Sequence, residues 1–146
     1  MNAFADELET DETVKENMER RTKLKTLCET RWFSRADVLY TFKTAFLVVV
    51  HSLEYLKENN DDKAGQYLSA ILRFEFIIAL VVAEHILSGT VALTMFLQST
   101  KCDLVEAISE SRVVVKQLHD KRNDPAVWQA LYDNAVEIAV SYTHLR

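Results

Sequence analysis

The chain has 146 residues, 49% of them hydrophobic, enough for one domain with its own core. Two glycines and one proline are too few for a many-stranded β fold, in which turn signals recur roughly every 8–12 residues. A net charge of −5 and a sequence pI near 5.4 describe an acidic protein, unlike a self-sufficient nucleic-acid module, which is basic over its binding surface. The composition predicts an all-α fold, a helical bundle.

Charge is distributed unevenly from the start of the chain. Residues 1–20 carry Asp6, Glu7, Glu9, Asp11, Glu12, Glu16 and Glu19 against Lys15 and Arg20. Residues 21–43 reverse the balance, with Arg21, Lys23, Lys25, Arg31, Arg35 and Lys43 against Glu29 and Asp37. A charge run of either sign is most simply a solvated face. Residues 4–21 can be helical, although their apolar positions (Phe4, Leu8, Val14, Met18) are sparse, and residues 22–32 show no period and read as extended or loop.

Ser34 is a suitable N-cap, with Asp37 three positions on in capping-box fashion. From there Leu39, Phe42, Phe46, Val49, Leu53 and Leu56 line one stripe of a helix predicted over 35–58. Residues 59–62 (Asn-Asn-Asp-Asp) end it and cap the next helix, predicted from Asp62 to at least Leu87. That helix is apolar on nearly every face, the pattern of a central helix wrapped by others. Gly89 kinks or ends it, and residues 90–98 continue in helical period. Asp103 caps a further helix with Leu104, Ile108, Val115 and Leu118 on one face. Asp124-Pro125 restarts the chain as N-cap and first helical residue, and Val127, Trp128, Leu131, Ala135 and Ile138 line the last helix. Residues 140–146 (VSYTHLR) depart from that period. Their first six also read as one frame of the mosaic-end adapter of transposase-based sequencing libraries, so this heptapeptide is expected to be an adapter-derived tail.

Most chemistry of a helical bundle is absent from the pattern. A carboxylate di-iron centre needs Glu-x-x-His on two helices, and none of His51, His85, His119 or His144 follows a Glu at that spacing. Glu75 and Glu84 are nine positions apart and fall on opposite helix faces. No Cys/His spacing suits zinc, and no Gly-rich phosphate loop exists. Cys28 and Cys102 are expected to be reduced packing residues of an intracellular protein, since no secretory leader is visible. His85 reads as a hydrogen-bonded core or groove residue. The longest apolar run, 76–83, is far short of the roughly 20 residues of a membrane span, so no membrane partner is expected.

One segment stands apart. Residues 24–35, LKTLCETRWFSR, interleave cations with the aromatic pair Trp32 and Phe33. Cations neutralise phosphate, and an indole can stack on an unpaired base; equally, the two rings can plug the end of a bundle. This segment resembles the Arg-Trp block of hAT-family transposases and their domesticated relatives. The likeness runs on through residues 69–76 (SAILRFEF), 83–87 (AEHIL), 97–98 (LQ) and 131–136 (LYDNAV), covering roughly 23–139.

The resemblance implies an RNase H-like parent that uses Asp, Asp and Glu with a divalent metal such as Mg, split by a helical insertion that begins near the Arg-Trp block. It implies residues 1–33 as a remnant of that core, 34–139 as the insertion and 140–146 as the tail. Trp32 would stack near the transposon end with Arg31 as its phosphate partner, and Lys23, Lys25 and Arg35 would add phosphate contacts. The family's catalytic acids would fall before Met1 and beyond Arg146, so no residue here is assigned as catalytic, no cofactor is expected in this chain, and the chain alone is expected not to be an enzyme. A nuclear, DNA-associated parent follows from the resemblance. The alternative is a helical module that binds a protein partner or a second copy of itself, with no DNA role.

Overall fold

A computed structural model describes residues 32–100 and 102–144. Seven helices follow one another there: α1 (Trp32–Thr44), α2 (Phe46–Glu58), α3 (Asp62–Ile71), α4 (Phe74–Ser88), α5 (Val91–Leu97), α6 (Leu104–Arg122) and α7 (Pro125–His144). No strand occurs among the described residues, and the fold is all-α as expected.

The helix predicted over 35–58 is two helices bent by 71°. Ala45 sits at the elbow, fully buried, with φ −94° and ψ 16°. Hydrogen bonds from Ala45 N to Thr41 O and from Val49 N to Ala45 O carry the backbone across the bend without a glycine or proline. Packing sets the bend: α1 lies on α4 and α5, while α2 lies on α3. The predicted stripe survives it, because Phe46 and Val49 are buried and Leu39, Phe42 and Leu53 pack against the same core. The start of α1 differs from expectation: it opens at Trp32, which puts Ser34 inside the helix rather than at its cap.

Asn60 turns the chain with φ 65°, a conformation Asn tolerates better than most residues. Asp61 then caps α3, its Oδ1 accepting from Lys63 N (2.9 Å) and Ala64 N (3.1 Å). The long helix predicted from Asp62 to Leu87 is also broken, at Arg73, whose extended backbone (φ −68°, ψ 134°) turns the chain from α3 into α4. Helix α4 is central, touching α1, α3 and α7. It buries Ile77, Leu80, Val81 and Glu84, a single face at i, i+3, i+4 and i+7, so its other apolar residues are less covered than a wrapped helix implies. Phe74, Phe76 and Ile86 remain partly exposed. Gly89 ends α4 as its C-cap, and α5 leaves at 43°.

Asp103 caps α6 as expected, its Oδ1 accepting from Val105 N and Glu106 N. Asp124 Oδ1 accepts from Ala126 N at 2.9 Å, with Pro125 in the first turn of α7. Ala135 brings α7 against the core with no exposed surface. The helix does not lose its period after Ala139, contrary to expectation. It runs to His144, and Tyr142 packs against the core while its hydroxyl donates to Glu54 Oε1 at 3.1 Å.

Candidate nucleic-acid interface

Of the cations and indole singled out in the sequence, Trp32 and Arg35 fall among the described residues, both in the first turn of α1. Lys23, Lys25 and Arg31 lie outside the described residues, and Trp32 supplies the first helical residue of α1. Arg35 is half-buried one turn further on, beside the buried Ala36.

Helix α1 is anchored by an ion pair that sequence reading did not find. Lys43 Nζ donates to Glu84 Oε2 across 41 positions of sequence, with side-chain exposures of 24% and 11%. Lys43 belongs to the basic segment 21–43, and Glu84 to the apolar run of α4. The pair is therefore internal, and Lys43 is not available to phosphate. Glu75, by contrast, sits on the exposed side of α4.

Two exposed apolar surfaces lie elsewhere. On α6 most of the apolar stripe read from the sequence points outward: Leu104 is 75% and Val115 65% exposed and Ile108 is exposed as well, while Leu118 is half-buried and Ala107 is the buried residue of the helix. Arg112, Lys116 and His119 flank that stripe in a shallow groove. Between α4 and α7, Phe74 and Tyr132 meet edge to face, centroids 5.7 Å apart, and Trp128 is 43% exposed while its Nε1 donates to Arg122 O at 2.8 Å. The signal for both was present as helical periodicity, but periodicity alone does not say whether a neighbour covers the stripe.

Among the described residues no three His, Cys, Asp or Glu side chains come together as a metal-ligand set. Cys102 is a half-exposed free thiol. His85 is half-buried, and its Nε2 has no hydrogen-bond partner, which corrects the expectation of a hydrogen-bonded imidazole at that atom. No single described helix is long and apolar enough to cross a membrane.

No family model matches the chain, and no solved structure is similar to it. Among curated proteins, the human 52 kDa repressor of the inhibitor of the protein kinase is 24% identical over 130 residues, which cover 83% of this chain. The chain spans only 17% of the length of that relative.

Proposed function

We propose that the chain is the helical insertion of a longer protein descended from a hAT-family transposase, and that it contacts DNA through its Arg-Trp block without performing catalysis itself. The observation that carries this reading is the run of LKTLCETRWFSR and the later helical blocks in one order, combined with 24% identity to a repressor protein over most of the chain. In this reading Arg31, Lys23, Lys25 and Arg35 neutralise phosphate and Trp32 stacks on an unpaired base. A divalent metal would belong to the remainder of the parent protein, and the parent would act in the nucleus on DNA.

A second reading has a specific observation in its favour. The outward apolar stripe of α6, on a protein with a net charge of −5, suits a helical module that docks on another protein or on its own copy. Salt separates the two. Phosphate binding releases counterions, so affinity for a DNA hairpin should fall linearly on a log–log plot between 50 and 200 mM salt, about one power of salt per phosphate contacted. Apolar docking on α6 should change little over that range, and binding to DNA that ignores salt would reject the first reading.

A further inference from the structure

We infer that the outward face of α6 is the docking site of the chain's own acidic N-terminal segment, residues 4–18. The shallow groove on that face is lined by Leu104, Ile108 and Val115 and edged by Arg112, Lys116 and His119. No Asp or Glu lines it, although α6 carries Glu106, Glu110 and Asp120. At about 100° per residue, those three acids fall on the side of the helix opposite Leu104, Ile108 and Val115. The groove face is therefore apolar and cationic together. Among the described residues neither Arg112 nor Lys116 pairs with a carboxylate, in a chain whose acids outnumber its cations 22 to 17.

Such a face suits an acidic strand of chain with apolar residues at helical spacing, and the sequence holds one. Residues 1–20 carry Asp6, Glu7, Glu9, Asp11, Glu12, Glu16 and Glu19 against Lys15 and Arg20. Phe4, Leu8, Val14 and Met18 fall within an arc of about 120° when the segment is wound as a helix. In that form residues 4–18 span about 21 Å, and the groove from Leu104 to His119 runs about 22 Å. Charge, apolar spacing and length all match.

The segment also reaches. Helix α5 packs on both α1 and α6, so α6 is one helix removed from α1, where the described chain begins. Two interaxial steps separate α1 from α6 by roughly 20 Å. Residues 19–31 extend to about 43 Å, ample to bridge that gap. A tether of this kind holds the segment at a local concentration on the order of millimolar, an advantage no untethered acidic partner has. The α6 face named in the second reading above is then filled from within the chain, and a partner protein docking on it must displace residues 4–18.

The test is amide hydrogen exchange on the full 146-residue chain, read by mass spectrometry at low and at high protein concentration. Peptides covering residues 5–18 are expected to exchange roughly tenfold or more slowly than an unstructured chain, independently of concentration. Val115→Asp and Lys116→Glu each put a negative charge into the groove at an exposed position, and each should abolish most of that slowing. Val113→Asp, at an exposed position on the far side of α6, should leave it intact. Exchange at the unstructured rate in the native chain, or slowing that survives both groove substitutions, overturns the assignment. Slowing that grows with protein concentration overturns it too, because a second copy then fills the groove. No DNA is present in the test, so none of these outcomes bears on the Arg-Trp block.

Discussion

Lys43 of α1 is paired with Glu84 of α4, and this ion pair ties the helix that follows the Arg-Trp block to the central helix of the fold. Both partners are largely buried, so removing one strands the other. Lys43→Met should destabilise the protein by about 1–3 kcal/mol, less than for a fully buried pair because Lys43 keeps some solvent contact. The double variant Lys43→Met with Glu84→Leu should recover most of that loss, since apolar replacement of a buried pair is often neutral. Urea unfolding of the two single variants and the double variant measures the coupling. Strictly additive losses would show that the two side chains act independently.

Phe46 is buried at the start of α2 and meets Phe42 edge to face at 6.2 Å across the bend at Ala45. Phe46→Ala is predicted to cost about 3–5 kcal/mol, the range for a buried aromatic replaced by a cavity. Calorimetry that found a loss near 1 kcal/mol would place Phe46 outside the core.

The cap of α3 distinguishes two adjacent aspartates. Asp61 accepts from two backbone amides, whereas Asp62 is the exposed first helical residue. Asp61→Ala should lower stability by about 1 kcal/mol and Asp62→Ala by less than about 0.5 kcal/mol. Equal effects from thermal melts would contradict the assigned start of α3.

Tyr142 gives the last turns of α7 a measurable role. It packs on the core and donates to Glu54, so Tyr142→Phe should cost about 0.5–1.5 kcal/mol, and deletion of residues 140–146 more than that. A helix extension that contributed nothing would leave the melting temperature unchanged on deletion.

Much of the fold was legible because local chemistry and tertiary packing agree in it. Asp61, Asp103 and Asp124-Pro125 are start signals whose hydrogen bonds the structure displays, and the Leu39–Phe42–Phe46–Val49 stripe faces the core. The misreadings share a cause. No glycine or proline marks the bends at Ala45 and Arg73, because neighbouring helices impose them. Ser34 with Asp37 mimics a capping box within a helix that has already begun. The α6 stripe has helical period whether or not anything covers it. The pairing of Lys43 with Glu84 joins residues distant in sequence, which no local pattern reports. Of the candidate DNA-contacting residues, Trp32 and Arg35 fall in the first turn of α1, while Lys23, Lys25 and Arg31 lie outside the described residues.

DNA contact through the Arg-Trp block is tested most directly by binding a hairpin DNA with an unpaired base at its tip to the longer protein that contains this chain, with and without Trp32→Ala. Base–indole stacking contributes about 1–3 kcal/mol, so Trp32→Ala should weaken hairpin binding roughly tenfold or more while leaving binding to plain duplex nearly unchanged. Equal affinity of the two proteins for the hairpin would contradict the stacking role, and with it the reading of this segment as a DNA contact.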